Sequence, residues 1–147
     1  MTDKFDVPEV HPDFKLNKVH YTISDLKKVA YNYIKEEEPY EGLVGDFLLD
    51  WVKPTGTLEV KTSGSTGIPM INSALATGKF FELPPGSTAL MCLPANFIAG
   101  KMMLIRAMVL GWEIDLVPPS SNPLDRVFKT YDFCAMTPFQ LDNSIGR

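Results

Sequence analysis

Residues 88–117 read TALMCLPANFIAGKMMLIRAMVLGWEIDLV, a run that contains a strand, a helix and a second strand in succession. Thr88–Leu93 and Trp112–Val117 are short apolar runs of the kind that form buried strands. Phe97–Leu110 has the length of a helix, carries apolar residues on more than one side, and is followed by Gly111 as its stop. Two strands joined through a helix predict neighbouring parallel strands with the helix packed on the sheet.

The same alternation continues on both sides of this run. Upstream, apolar residues at helical spacing predict a helix over Ile71–Phe81. Downstream, Pro123–Thr130 suits a short helix with proline in its first turn, Phe133–Met136 reads as a strand, and a further helix can start at Phe139. The sequence therefore predicts an α/β fold with a mostly parallel sheet flanked by helices.

The first third of the chain predicts an arm followed by two helices. Met1–Asn17 reads as an extended arm, and Ser24 is the expected N-cap of a first helix that Pro39 ends. A second helix is expected over Tyr40–Trp51, and Pro54-Thr55-Gly56 marks a turn after it. We accordingly divide the chain into an N-terminal arm with helices, residues 1–57, and a partial α/β domain, residues 58–147.

Composition limits the functions that the chain can have. The 147 residues suffice for one domain with a core, and 45% hydrophobic with 22% charged residues is ordinary for a globular protein. The net charge of −4 disfavours a nucleic-acid binder. Met1–Val10 has no apolar core typical of a leader, and polar residues interrupt Ala89–Val117, so we expect no membrane span and a cytoplasmic location. Cys92 and Cys134 lie in apolar runs and are expected to be buried, reduced thiols.

The segment most directly suited to chemistry follows the predicted strand Leu58–Thr62. Gly64 and Gly67 allow positive φ and a close approach of the backbone to a ligand. Successive amides in such a turn form a concave nest that favours anions. Hydroxyl groups on the neighbouring side chains add short donors for phosphate oxygens. The residues of this candidate phosphate loop are Thr62, Ser63, Gly64, Ser65, Thr66 and Gly67.

Local chemistry alone leaves this loop ambiguous. From composition alone, a small polar hairpin turn is the commoner explanation. The spacing of a Walker A loop is absent, and so is the Gly-x-Gly-x-x-Gly of dinucleotide folds. In the same way, the three acids Glu36–Glu38 are better explained as a solvated helix end than as a metal site.

Three segments carry a resemblance to a known family. Thr62–Pro69 resembles the phosphate-binding motif of the adenylate-forming superfamily, which includes acyl-CoA synthetases, luciferases and peptide-synthetase adenylation domains. Leu93–Gly100 is similar to that family's Leu-Pro, aromatic and Gly segment at the acid pocket, and Ala135–Leu141 resembles its Val-Pro-Thr-x-Leu segment. The short N-terminal lead and the segment Ile98–Met103 look most like o-succinylbenzoate–CoA ligases of menaquinone synthesis, although other aryl- or acyl-CoA ligases remain open.

The resemblance implies a function and a set of site residues. It implies an ATP-dependent acid–CoA ligase that forms an acyl-AMP and then a CoA thioester, with ATP, Mg²⁺, CoA and a carboxylic acid as its small-molecule partners. Residues 62–67 would hold the β- and γ-phosphates, while Phe97 and Gly100 would lie at the acid pocket. Phe97 as an ordinary core aromatic is the alternative. Lys101 and Arg106 could meet a second carboxylate, but a solvated helix face is the commoner reason for such residues.

The sequence also departs from the family pattern. Lys follows Pro in the family motif, whereas Met70 follows Pro69 here, so we expect that a segment is missing between these two residues. The later family elements, among them the Tyr-Gly-x-Thr-Glu segment and the C-terminal catalytic Lys, are not found, and no catalytic or metal residue is assigned. We therefore expect that this chain alone does not catalyse adenylation. The oligomeric state is not predicted, and the alternatives are a non-catalytic nucleotide-binding domain and an interaction domain.

Overall fold

The computed structural model of the protein describes residues 10–36, 38–51, 67–125, 127 and 129–144. Within these residues the chain forms a sheet of four strands together with five helices. In chain order the elements are β1 (Lys15–Leu16), α1 (Ile23–Lys35), α2 (Pro39–Trp51), α3 (Gly67–Phe81), β2 (Thr88–Met91), α4 (Ile98–Leu110), β3 (Glu113–Leu116), β4 (Phe133–Ala135) and α5 (Pro138–Ser144).

All the strand pairs in the sheet are parallel. The strand order is β1-β3-β2-β4, so β2 and β3 are neighbours joined through α4, while β4 lies on the other side of β2. The register places Leu90 opposite Asp115 on one side and opposite Cys134 on the other. The predicted fold class, a mostly parallel α/β sheet flanked by helices, is confirmed.

The end of the expected arm belongs to the sheet, which the sequence does not predict. Lys15 and Leu16 pair with β3, and Phe14 and Leu16 are fully buried. Asn17 adopts a left-handed φ of 50° directly after the strand, and its side-chain oxygen accepts a hydrogen bond from the Leu116 amide at 2.9 Å. Two residues are too short a strand to leave a periodic signal.

Helix α1 begins two residues earlier than the sequence suggests. Its N-cap is Thr22 rather than Ser24, because the Thr22 hydroxyl accepts from the Asp25 amide at 3.3 Å while the Asp25 carboxylate accepts from the Thr22 amide at 3.5 Å. This reciprocal capping satisfies two amides that have no partner in the helix. The predicted stop, Pro39, is instead the first residue of α2, where its missing N–H costs nothing.

Helix α3 starts at Gly67 and runs without interruption through Pro69 and Met70. The sequence pattern predicts its start only at Ile71. Pro69 is compatible with the first turn, because the amides there have no partner within the helix. The predicted strand Leu58–Thr62 and the residues Thr62–Thr66 lie outside the described residues, as does the boundary drawn at residue 57. A missing segment before Met70 stays a prediction.

The predicted helix over Pro123–Thr130 is wrong. The described residues of this stretch form separate turns, with the Asp125 amide donating to Asn122 O at 3.2 Å and the Val127 amide to Leu124 O at 3.1 Å. Tyr131 then donates its hydroxyl hydrogen to Asp115 at 2.7 Å, which draws the chain back to the sheet before β4. The tertiary contact of Tyr131 therefore competes with the weak local preference for a helix.

The core joins the elements on both sides of the predicted domain boundary. One apolar cluster contains residues of β1, α1 and α2 together with residues of α3, α4, β2 and β3. Met103 and Met108 are almost fully buried, and Met102 is 8% exposed, as the core interpretation of the α4 methionines predicts. Among the described helices, none combines the length and apolarity that a membrane crossing requires.

Candidate functional site

The sheet has a topological switch point between β2 and β4. From β2 the chain passes through α4 to β3 on one side, and it later crosses back to form β4 on the other side. In open parallel sheets the connections leave the carboxyl ends of such strands in opposite directions, and the crevice between them is where ligands bind. Residues 92–97 and 136–137, which follow β2 and β4, therefore flank the candidate site.

Helix α4 packs tightly on the segment that follows β2. Gly100 is buried in its first turn, and a Cβ at this position would lie 2.7 Å from the carbonyl carbon of Pro94 and in closer overlap with its oxygen. Real Cβ atoms do not approach backbone so closely. The glycine is thus required for the contact between α4 and the crevice wall, and its predicted role at an acid pocket remains a prediction.

Phe97 and Lys101 both lie beside this crevice wall. Phe97 is the N-cap of α4 and is 61% exposed, so within the described residues it is not the core aromatic of the alternative interpretation. Lys101 donates to the carbonyl oxygen of Asn96 at 3.1 Å, which holds its ammonium group close to the same loop. An exposed ring and a cation therefore stand at the carboxyl end of β2.

Gln140, which the sequence analysis missed, connects three segments at this edge. It is 6% exposed, and its side-chain NH₂ donates to Cys92 O at 3.0 Å and to Ser120 O at 2.9 Å. Its side-chain oxygen accepts from the Thr137 amide at 3.0 Å. These three bonds fix the chain after β2, β3 and β4 relative to one another.

A sequence signal for Gln140 does exist. Thr137 and Gln140 form the Thr-x-x-Gln pattern of a capping box, and the Gln140 amide does donate to the Thr137 hydroxyl at 3.1 Å. The pattern indicates the start of α5, but the two bonds to carbonyl oxygens on other segments are long-range. Only the fold reveals them.

Two thiols lie at the floor of the crevice. Cys92 follows the last residue of β2 and is fully buried, Cys134 lies in β4 and is partly buried, and both are free. Their sulfur atoms are 3.7 Å apart, and Cys92 Sγ donates to Ala135 O at 3.4 Å. The expected burial is therefore confirmed for Cys92 and only partial for Cys134, and the expected strand position holds for Cys134 alone.

Arg106 lies elsewhere on α4. Its guanidinium stands over the ring of Phe133, 5.8 Å from the centroid, and its buried Nε finds no hydrogen-bond partner among the described residues. Burial lowers the pKa of Arg106, although a guanidinium remains protonated. Because Phe133 opens β4, Arg106 is at the amino end of that strand, away from the crevice. Of the two predicted cations, only Lys101 is near the candidate site.

The first turn of α3 points to the same edge as the first turn of α4. A Cβ at Gly78 would overlap the side chain of Leu110 at 2.7 Å, so the C-terminal ends of α3 and α4 lie side by side. The two helices pack along each other and lead into the neighbouring parallel strands β2 and β3, so they run in the same direction. Helix α3 therefore starts at Gly67 near the carboxyl edge, about 17 Å along its axis from Gly78. Of the predicted phosphate-loop residues, Gly67 is described and the others, Thr62–Thr66, lie outside the described residues.

A small cleft behind the Ser120 segment belongs to the same edge. It has a volume of about 220 Å³ and is lined by Val117, Pro118, Ser120, Asn122, Pro123, Asp125 and Val127. Complete small-molecule pockets usually measure roughly 300–1,000 Å³. The cleft is therefore part of a larger surface and not a pocket in its own right.

Comparison with known proteins gives one informative similarity. The chain is similar to an acyl-CoA synthetase (AMP-forming)/AMP-acid ligase II-like protein from Dyadobacter fermentans, whose crystal structure is known. The two share 36% sequence identity, and their structures superpose with a TM-score of 0.65. The match covers 79% of this chain and 36% of that protein, so the chain spans about a third of that protein's length. No profile of a known protein family matches the chain, and no curated protein sequence does. The similarity supports the adenylate-forming superfamily and accounts for the parallel α/β fold.

Proposed function

We propose that the chain is the nucleotide-phosphate-binding part of an ATP-dependent acid–CoA ligase. The observation that supports the proposal is the parallel packing of α3 and α4, because it directs the first turn of α3, which starts at Gly67, towards the edge where the β2 and β4 connections form a crevice. The similarity to an AMP-forming acyl-CoA synthetase-like protein supports the same class of reaction.

The proposed binding of phosphates uses uncharged donors. The amides of a helix's first turn have no partners within the helix and carry the positive end of its dipole, so they favour an anion. Helix α3 has no acidic residue in its first turn that would repel phosphate. Residues 62–66 would add their hydroxyl groups and amides in front of this turn and hold the two terminal phosphates of ATP.

The proposed chemistry converts a carboxylate into an acyl-AMP. A carboxylate oxygen attacks the α-phosphorus of ATP, pyrophosphate leaves, and the CoA thiol then displaces AMP to give the thioester. The residues of this chain position the leaving pyrophosphate and the acid, which reduces the entropy cost of the reaction. Mg²⁺ would supply positive charge to the phosphates. The described residues contain no group of three His, Cys, Asp or Glu side chains that could hold a metal ion, so none is assigned as its ligand.

The acid is proposed to lie in the crevice beside α4. Phe97 would form an apolar wall and Gly100 would allow the close approach of the helix to the loop, while Lys101 stands near enough to meet a second carboxylate. An aromatic dicarboxylate such as o-succinylbenzoate fits these features, and menaquinone synthesis in the cytoplasm is the proposed setting. Because the match covers only 36% of the related protein, this chain alone is proposed to lack part of the enzyme.

The first experiment measures binding of ATP and pyrophosphate to this chain by calorimetry. Replacing both Ser63 and Ser65 with Ala removes two proposed donors. Each hydrogen bond to a charged group contributes about 1.5–3 kcal/mol, so the affinity should fall at least about a hundredfold. Thr77→Ala is the matched control, because it removes a hydroxyl of α3 whose hydrogen bond, within the described part of the chain, goes to Ser73 O in the same helix. Failure of the unaltered chain to bind either ligand contradicts the proposal.

A second experiment separates binding from catalysis. In ATP–pyrophosphate exchange with a panel of aromatic and aliphatic acids, this chain alone is expected to show no turnover. Turnover would refute its incompleteness. Binding of ATP with no stabilisation by any acid would instead favour the alternative, a non-catalytic nucleotide-binding domain.

A further inference from the structure

We propose that Cys92 and Cys134 form a peroxide-sensitive thiol pair, in which Cys134 is oxidised first and Cys92 then closes a disulfide across the floor of the crevice. The proposal does not depend on the ligase function. It concerns two side chains to which neither the fold nor the proposed reaction gives a role.

The geometry brings the two sulfurs together on one face of the sheet. Cys134 is opposite Leu90 in the ladder, and Cys92 is two residues beyond Leu90, so both cysteines project from the same face. The sulfurs are in contact at 3.7 Å. A disulfide requires a separation of about 2.05 Å, so the sulfurs must approach by about 1.7 Å.

The chain can provide this approach where Cys92 lies. The paired residues of β2 and β4 end at Met91 and Ala135, so the backbone of Cys92 is not part of the ladder. Cys134 remains within β4. The movement therefore falls mainly on Cys92, where a side-chain rotation and a backbone shift must combine. The shift works against the hydrogen bond that Gln140 donates to Cys92 O.

The two thiols differ in exposure and in acidity. Cys92 is fully buried, whereas Cys134 is partly exposed and can meet a small oxidant. The contact with the Cys92 sulfur lowers the pKa of Cys134, while the contact with Cys134 and burial raise the pKa of Cys92. Because the thiolate is the reactive form, Cys134 is the thiol that a peroxide attacks first.

The chemistry balances with hydrogen peroxide as the oxidant. The Cys134 thiolate attacks one peroxide oxygen, the O–O bond breaks, and the departing hydroxide takes a proton to become water, which leaves a sulfenic acid. The Cys92 sulfur then attacks the Cys134 sulfur, the S–O bond breaks, and the hydroxyl leaves as water with the Cys92 proton. The two thiols lose two electrons in total, and the peroxide gains them.

A disulfide at this position would connect the segments on either side of the crevice. Leu93 follows Cys92 and begins one wall, and Ala135 follows Cys134 and begins the other. Oxidation would therefore fix the spacing between the β2 and β4 connections, which the reduced protein holds through Gln140.

The test exposes the folded chain to hydrogen peroxide, unfolds it, labels free thiols with a maleimide and measures the intact mass. The unaltered chain should lose two hydrogen atoms, take no label and remain monomeric. Cys92→Ser should accumulate a sulfenic acid that dimedone traps, because its resolving thiol is gone. Cys134→Ser should keep its buried Cys92 thiol and take one label after the same exposure.

Several outcomes would overturn the proposal. Retention of both labels by the unaltered chain, under conditions that oxidise the unfolded chain, would show that the sulfurs do not close. A disulfide between two chains would show that Cys134 reacts without Cys92, and equal oxidation of the two variants would contradict the assigned order. Circular dichroism of each variant before treatment shows whether it is folded. If either Ser variant is unfolded, the unaltered chain alone decides, with dimedone present during the exposure to trap the sulfenic acid. Peptide mass mapping of the adduct to Cys134 supports the order, and an adduct on Cys92, or none, refutes it.

Discussion

Gly100→Ala tests whether close packing is the reason for glycine in the first turn of α4. The added methyl group would lie 2.7 Å from the Pro94 carbonyl carbon and 3.2 Å from Ala95 Cα, with its closest overlap at the Pro94 oxygen. Ordinary contacts begin at 3.4 Å. All three neighbours are backbone atoms, so no side-chain rotation can relieve the overlap, and α4 must move away from the crevice wall.

The magnitude combines two opposing effects. Forcing an extra methyl group into a packed region costs about 1–3 kcal/mol and sometimes more. Replacing glycine by alanine in a helix recovers up to about 1 kcal/mol. Because the overlap involves rigid backbone, we take the upper part of the first range and expect a net loss of about 2 kcal/mol. For a chain of this size that loss lowers the Tm by roughly 6 °C.

The assay is thermal and urea unfolding followed by circular dichroism, with Gly42→Ala as the matched control. Gly42 lies within α2, and a Cβ there meets nothing within 4 Å, so the control should be stabilised by up to about 1 kcal/mol. A Gly100→Ala chain as stable as the unaltered protein, alongside a stabilised control, would refute the packing argument. That result would instead favour the explanation that Gly100 provides space for a substrate.

Three further substitutions test polar contacts of the fold. Gln140→Met leaves the carbonyl oxygens of Cys92 and Ser120 without their donor, and should lower the free energy of unfolding in urea by roughly 3 kcal/mol. A loss below about 1 kcal/mol would mean that water replaces the side-chain amide. Tyr131→Phe removes the 2.7 Å hydrogen bond to Asp115 and should lower the free energy of unfolding by about 1–2 kcal/mol. The control Tyr31→Phe, at a side chain 49% exposed, should change it by less than about 0.5 kcal/mol. Equal losses in the two variants would contradict a stabilising role for the Tyr131 hydroxyl. Burial and neighbouring carboxyls raise the pKa of Glu41 from 4.5 to about 7, so the folded state binds more protons between these values and stability should fall as pH rises through them. Glu41→Gln should flatten that part of the pH profile, by no more than about 1 kcal/mol for a partly exposed group, and an unchanged slope would exclude Glu41 as its source.

The part of the fold that the sequence predicts is the part with a strong local pattern. Helix α4 and strands β2 and β3 are found within a few residues of their predicted limits, because long apolar runs and Gly111 mark them. Strand β1 has two residues, and its burial depends on β3, which lies almost a hundred residues later. Such a strand exists only through its partner, so no local pattern can reveal it.

The candidate site divides in the same way. The segments around Leu93 and Ala135 are identifiable from motifs, since each follows an apolar strand directly. That they face each other is a property of strand order, because β4 pairs with β2 and not with β3, which precedes it in the chain. Gln140 could be placed at a helix start from its capping pattern, but its bonds to two other segments required the fold.

The arrangement also explains how an acidic chain can suit a polyanionic ligand. A net charge of −4 opposes the approach of a nucleotide at long range, but salt screens that repulsion beyond about 8–10 Å. At contact the local dipoles decide, and the parallel helices α3 and α4 both direct the positive ends of their dipoles towards the carboxyl edge. Neither helix has an acidic residue in its first turn. The carboxyl edge can therefore attract a small anion without a cluster of lysines. For that reason a negative net charge argues against binding of nucleic acid but not against binding of a nucleotide.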